Sequence, residues 1–293
     1  MPGPSLTGRT RLWLFALLYG VLIAASAVSF VRDGDVQFGR KPLENLLKTA
    51  HELSRPSLLD VWFGNPQLEY RNDAGVVLRV EDQRATEQRY LIGLAAAIWT
   101  TLKVATLGSL LAAVAALPFG LVAARNLSMP RWLASPARGL LDIARAIHAL
   151  VFGLLLVGII GLGPMAGILA IAFHSFGTYG KLYAEAIENI DERLIDCGRV
   201  IGMTPLQTVW HALPRTLLPQ GLSIHLYIWE FNMRDSTVLG LIGVGGLGLL
   251  VSEAVSLFQW GRLATLLIAI VLLVTCFDRI SRRVRAILAT RSH

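Results

Sequence analysis

The chain has 293 residues, of which 54% are hydrophobic and only 16% charged, and its mean hydropathy is +0.56. Soluble domains carry roughly 25% charged residues, so this composition excludes an ordinary soluble protein and points to a bilayer. The net charge of +7 does not mark a nucleic-acid binder, because the basic residues flank apolar runs instead of covering one soluble face.

Arg9 and Arg11 precede the apolar run Leu12–Val31, which is long enough to cross a bilayer. With Ala25-Ser26-Ala27 the same stretch has the outline of a secretory leader. The apolar character continues to Val31, and a membrane helix is expected. In either case the next segment lies outside. That segment, Arg32–Arg89, holds nine basic and ten acidic residues and is too polar to span. Within it Leu43, Leu46, Leu47 and Ala50 recur at helical spacing, which predicts an amphipathic helix over Pro42–Leu53 lying against the membrane. Leu68–Arg71 and Val76–Val80 flank Asn72-Asp73-Ala74-Gly75 and predict a β-hairpin.

A second apolar run, Tyr90–Ala124, is interrupted by Lys103 and Pro118. Ile143–Gly161 and Pro164–Gly180 form a pair joined by Gly161-Leu162-Gly163-Pro164. Leu217–Phe231 and Leu263–Phe277 complete six predicted spans. Basic loops stay cytoplasmic. Six spans put Arg9 and Arg11, Arg125–Arg145, Lys181–Arg215 and Arg279–Arg291 on one side, so both termini are expected in the cytoplasm.

The cytoplasmic loop, residues 181–216, carries Thr204-Pro205. Thr can accept from a free helix N–H, and Pro suits the first helical position. Leu206, Val209, Trp210 and Leu213 then fall on one face, and Pro214 and Pro219 are expected to close the segment. A lone short helix needs something to pack against, either its own membrane domain or a partner.

Charge inside a span is costly, so Lys103, Glu230 and Arg234 are candidates for function. Glu230 and Arg234 are four apart and can pair. Alternatively Arg234, with Ser236 and Thr237, lines a path and offers donors to an oxyanion. Gly243–Gly248 is not a phosphate loop, since no Lys-Ser or Lys-Thr follows. Gly245 and Gly246 either form a bending gate or simply permit close packing. His148 and His174 have no metal-site spacing and read as hydrogen-bonding histidines. Cys197 and Cys276 lack any metal or disulfide pattern. No lysine completes an ATP-binding Gly-x4-Gly-Lys motif, and no catalytic grouping is evident. An ion-coupled transporter would want several buried acids, and Glu230 alone qualifies.

Asp196-Cys197-Gly198, followed after three residues by Gly202 and closed by Leu213-Pro214, resembles the cytoplasmic signature of ABC-importer permeases. That signature reads Glu-Ala-Ala, three residues, Gly, nine residues, Ile-x-Leu-Pro; here Asp-Cys-Gly replaces Glu-Ala-Ala and the closure comes one residue early. Asn232–Gly248 and Leu94–Asn126, the latter with Thr100-Thr101-Leu102, Pro118 and Ala123-Ala124-Arg125-Asn126, resemble the phosphonate-importer branch, and the similarity extends over Leu94–Thr290. The resemblance implies an all-α, polytopic permease of the type I (MetI-like) ABC-importer fold in a bacterial inner membrane. It implies a second copy of the permease, two ATPase subunits that hold ATP and Mg, and a periplasmic binding protein. The permease itself holds no cofactor. The implied cargo is a phosphonate-like oxyanion, with phosphite, hypophosphite and phosphate as alternatives. Carried onto this sequence, ATPase coupling falls to Asp196, Gly198, Gly202, Thr204, Pro205, Leu206 and Trp210. The path or gate falls to Lys103, Glu230, Arg234, Ser236, Thr237, Gly245 and Gly246. The expected organisation is a first membrane helix (1–31), a periplasmic segment (32–89) and a permease domain (90–293).

Overall fold

The computed structural model describes residues 6–32, 41–71, 77–127, 129–190, 192–204, 207, 210 and 214–290. The chain divides into two units, Met1–His51 and Glu52–His293. In the first unit, α1 (Leu6–Arg32) exposes Trp13, Phe15, Leu18 and Ile23, and nothing along its apolar stretch is buried. A helix apolar on every side is solvated by lipid tails. The helix α2 (Pro42–Leu53) has the predicted limits. Pro42 opens it, and Glu44 bridges Lys41 at 2.9 Å and Lys48 at 3.4 Å.

The second unit begins with a small platform. It consists of a 3-10 turn (Ser57–Leu59), α3 (Asp60–Phe63) and the antiparallel strands β1 (Leu68–Arg71) and β2 (Val77–Glu81), with Leu68 opposite Glu81. The predicted turn, Asn72–Gly75, lies outside the described residues. The platform is tied to the helices behind it. Ser57 meets Thr265 through their hydroxyls at 3.2 Å, and Arg84 donates to the Gly64 carbonyl at 2.8 Å. Arg262 donates to the buried Glu87 at 2.7 Å and lies over the Tyr90 ring. Burial pushes the Asp60 carboxyl above its ordinary range; Glu87 adds to the effect and a hydrogen bond with Gln83 opposes it.

Asp82 caps α4 (Gln83–Ala123), accepting from the N–H groups of Arg84 and Ala85. The helix runs unbroken through Lys103 and Pro118; its 41 residues span roughly 60 Å, about twice the hydrocarbon thickness.

The predicted span Ile143–Gly161 is not one helix. It falls across α5 (Arg131–Ala146) and α6 (Ala149–Ile160), which meet at 87°. At 12 residues α6 is roughly 18 Å long, too short to cross alone. The break sits at Ile147-His148 because side chains there replace the lost backbone bonds. The His148 Nδ1 accepts from the Leu150 N–H at 3.2 Å, and His174 Nδ1 reaches the Ile147 carbonyl at 2.8 Å.

The central helix, α7 (Pro164–Glu188), packs through small residues. Gly177 and Gly180 face Leu141 and Arg145 of α5, while Gly108 and Gly120 of α4 face Ile171 and Tyr183 of α7. After α8 (Glu192–Val200) come α9 (Pro214–Leu239), a π-helical turn (Gly240–Val244), α10 (Leu247–Ser256) and α11 (Trp260–Thr290). Two expectations change here. Pro214 opens α9 instead of closing the preceding segment, and Pro219 lies within α9. The fifth span also continues past Phe231 to Leu239, because its polar residues are bonded inside the protein.

Among the described residues three helices are long and apolar enough to cross a membrane (10–32, 83–123 and 260–288), and counting each of the bent pairs α5–α6 and α9–α10 as one span brings the number to five. The 25-residue α7 has crossing length; of its polar side chains, Ser175 and Tyr179 are buried against protein. The chain is an all-α, multi-pass membrane protein with, among the described residues, one small two-stranded element.

Candidate functional site

The loop after α8 is built by two caps. At the end of α8 the Met203 N–H reaches back to the Gly198 carbonyl at 2.9 Å, and Gly202 sits at φ +78°. This 6→1 closure needs a left-handed residue, which glycine supplies without strain. One residue further on, the Gln207 N–H donates to Thr204 Oγ1 at 3.3 Å while the Thr204 N–H donates to Gln207 Oε1 at 2.9 Å. That is a capping box. Thr204 therefore has the predicted helix-starting role, and Gln207 is a partner that the Thr-x-x-Gln spacing could have revealed.

Gly198 is buried and Asp196 exposed; Pro205 and Leu206 lie outside the described residues. Trp210 is 76% exposed, Val200 86% and Ile201 70%, so three large apolar groups in 11 residues lack cover. Arg193, Asp196, Cys197, Val200 and Ile201 line an open groove on α8. Uncovered apolar groups so concentrated, beside charged ones, suit a protein partner.

The intramembrane candidates separate into two groups. Glu230, with a side chain 13% exposed, accepts from Arg234 at 2.9 Å and from Arg285 of α11 at 3.2 Å. Arg234 is thus held structurally by its i–4 neighbour, and the carboxylate lies close to the basic end of α11.

The second group gathers at Thr101 of α4. Buried Ser236 donates to the Thr101 carbonyl at 2.9 Å, and Thr101 Oγ1 accepts from the Leu247 N–H that begins α10, also at 2.9 Å. A Cβ on Gly246 would collide with that hydroxyl, whereas one on Gly245 would meet only Thr100 Cγ2 at 3.8 Å. Gly243, Gly245 and Gly246 all have positive φ, and the backbones of Gly240 and Gly248 touch. Gly246, Gly240 and Gly248 are close-packed, and Gly245 has positive φ with room around it. Thr237 donates back to the Met233 carbonyl in its own helix, and Lys103 stands on the exposed side of α4; neither joins the cluster.

Sequence reasoning missed a polar seam through the helices. Ser175 of α7 donates to Asn232 Oδ1 at 2.9 Å, and Asn232 Nδ2 donates to Ser109 of α4 at 2.7 Å. Tyr179 pairs with His225 at 2.9 Å, and Trp229 donates to Thr106 at 3.0 Å. Asp235, 8% exposed, is a second intramembrane acid beside Glu230. The signal was present. Asn232, Asp235, Ser236 and Leu239 share one face of α9, and Phe231, Arg234 and Val238 the other. Among the described residues no group of three His, Cys, Asp or Glu side chains could hold a metal ion.

Comparison with known proteins bears on this arrangement. Residues 116–290 match the family described as binding-protein-dependent transport system inner membrane component. The phosphite transport system permease protein PtxC of Stutzerimonas stutzeri is 36% identical over 181 residues, 62% of this chain and 66% of that one. The phosphate-import permease protein PhnE of Mycolicibacterium smegmatis is 34% identical over 170 residues, 58% of this chain and 32% of that protein. The matched stretch thus spans just under two thirds, or less, of these relatives' own length. Among solved structures, an inward-facing form of the MetNI methionine ABC transporter superposes with a TM-score of 0.62 at 21% identity, covering 69% of this chain and 98% of that one. This likeness shows the fold.

Proposed function

Because the chain belongs to the family of binding-protein-dependent transport system inner membrane components, we propose that it is the membrane-crossing subunit of an ABC importer for small phosphorus oxyanions. Its energy comes from ATP and Mg bound by separate ATPase subunits, and a periplasmic protein delivers the solute. The observation that carries this reading is the capped loop around Gly202 and Thr204, with Val200, Ile201 and Trp210 uncovered. A rigid turn that projects aromatic and aliphatic groups from a membrane domain is a surface for receiving force.

In the proposed cycle, two copies of the chain face each other and each loop seats on one ATPase, with both termini on the cytoplasmic side. Asp196, Gly198, Gly202, Thr204, Pro205, Leu206 and Trp210 form the seat. Closure of the ATPase pair moves the loop, and α9 carries the motion to the glycine turn. There Gly245 and Gly246, anchored through Ser236 and Thr101, form the gate. Arg234 and Glu230 brace α9 and α11, while Thr237 and Lys103 face the path. The segment 32–89 lies on the periplasmic side. The phosphorus oxyanion class rests on the names of the relatives, and phosphite is the first candidate ahead of phosphonate and phosphate.

The test is uptake into proteoliposomes holding this chain and its ATPase, with binding protein outside and ATP inside. Labelled phosphite, methylphosphonate and phosphate are compared with sulfate. ATP-dependent accumulation of a phosphorus oxyanion, and not sulfate, supports the reading. Accumulation that follows an imposed ion gradient without ATP refutes it.

A further inference from the structure

Asp235 is more than nine-tenths buried within α9, and among the described residues nothing donates to its Oδ2. Arg234, its neighbour, is committed to Glu230 at 2.9 Å. The groups that act on the carboxyl electrostatically are His148 at the α5–α6 break, His174 of α7 and Arg234 of its own helix. The two imidazoles lie 5.7 Å apart. Gly153 of α6 packs on Leu239 and Ile242. One turn back along both elements, Asp235 therefore lies opposite the start of α6, the end that bears the positive pole of the helix dipole.

The hydrogen bonds fix what each ring can offer. A backbone N–H can only donate, so His148 Nδ1, which takes the Leu150 N–H, is an acceptor and Nε2 carries the proton. A carbonyl can only accept, so His174 Nδ1 carries a proton toward Ile147. In its neutral form His174 has no second donor. His148 Nε2–H is the donor that complements Asp235.

A buried carboxyl with an idle oxygen is a cost to this conformation. Such costs collect where another conformation uses the group. We propose that Asp235 and His148 form a latch of the transport cycle: when the start of α6 swings toward α9 about the break at Ile147, His148 Nε2–H donates to Asp235 and holds the alternate state. His174 acts as a positioning residue by pinning the Ile147 end of the break. This inference rests on the transport reading above.

The experiment measures uptake of phosphite, ATPase activity and thermal unfolding in detergent for wild type, Asp235→Asn, Asp235→Leu, His148→Asn and the double variant Asp235→Leu/His148→Asn. Asn at 148 keeps the cap on α6 but loses the distant donor. The latch requires Asp235→Leu to unfold no earlier than wild type while its uptake falls about tenfold or more and ATPase activity continues. Asp235→Asn, whose amide oxygen still accepts, should fall less. The double variant should be no worse than the poorer single one. Uptake of Asp235→Leu within about twofold of wild type, or losses that multiply in the double variant, would overturn the latch. Earlier unfolding in step with lost uptake would overturn it too, by showing that Asp235 has a structural partner in the resting state. A wild type that accumulates no phosphorus oxyanion but another solute would reject the cargo class; the same ranking of the variants in uptake of that solute would support the latch, and no loss in Asp235→Leu would overturn it.

Discussion

Replacing Gly246 with alanine tests whether the glycine turn is held by Thr101. Gly246 has φ +72° and ψ −155°, a region open essentially only to glycine, and a side chain forced there costs about 1–3 kcal/mol. The new Cβ also displaces Thr101 Oγ1 from the Leu247 N–H, which it accepts at 2.9 Å. Orphaning a buried donor adds about 1–3 kcal/mol. Gly245→Ala supplies the control. Its φ of +98° and ψ of −166° carry the same backbone strain, but its Cβ meets only a methyl group at ordinary contact distance. Thr101→Val supplies the other half, removing the acceptor without touching the glycine. Unfolding in detergent should rank Gly246→Ala as most destabilised, by about the sum of the other two losses. If Gly246→Ala and Gly245→Ala agree within about 0.5 kcal/mol, Thr101 does not secure the turn and the reasoning fails.

Gly202→Val should abolish uptake while membrane content is unchanged, because the φ of +78° is needed and open space surrounds the position; Gly202→Asn, which tolerates that region, should keep most uptake. Full uptake by the valine variant removes Gly202 from coupling. Thr204→Ala should weaken the capping box by about 1 kcal/mol and raise the amount of ATPase subunit needed for half-maximal activity, as read by titration. Glu230→Gln leaves Arg234 and Arg285 without their counter-charge; with both guanidinium groups partly exposed, the loss should be about 1–3 kcal/mol. Adding Arg285→Gln to that variant should recover part of the lost thermal stability, and no recovery would show that the pair is not coupled.

The amphipathic α2, the hairpin and the helix-starting Thr204 were legible because each is a local decision, set by spacing or by one cap. The break between α5 and α6 was not, because what permits it comes from elsewhere: His174, 27 residues from Ile147, satisfies the freed carbonyl. For the same reason the fifth span looked finished at Phe231. Hydropathy counts Asn232 and Asp235 as leaving the membrane, yet Asn232 is satisfied by Ser109 and Ser175, 123 and 57 residues away. Arg234 shows the intermediate case. Its partner Glu230 was visible at i–4, but Arg285, which fixes the carboxylate from α11, was not. In a membrane the one-dimensional pattern reports lipid-facing surface well and protein-facing polarity poorly.

Helix α9 connects the loop to the glycine turn, and its attachments decide where it can yield. Trp229, Asn232 and Ser236 donate to Thr106, Ser109 and Thr101 of α4, and Asn232 also accepts from Ser175 of α7. A helix held at three points along its second half cannot slide locally; it moves with α4 and α7 or not at all. Compliance is left to either side of it, where Gly202 in the preceding loop and Gly243, Gly245 and Gly246 after it take positive φ. Substitutions should therefore divide by position. Asn232→Ala strands Ser109 and Ser175, at about 1–3 kcal/mol for each buried group left unpaired, so it should lower thermal stability while retaining the uptake-to-ATPase ratio of the protein that remains folded. Gly202→Val and Gly245→Ala should do the reverse, lowering that ratio before stability suffers severely. If Asn232→Ala instead uncouples transport in a protein of normal stability, the middle of α9 is where the motion occurs, and the picture of a rod with two yielding ends is wrong.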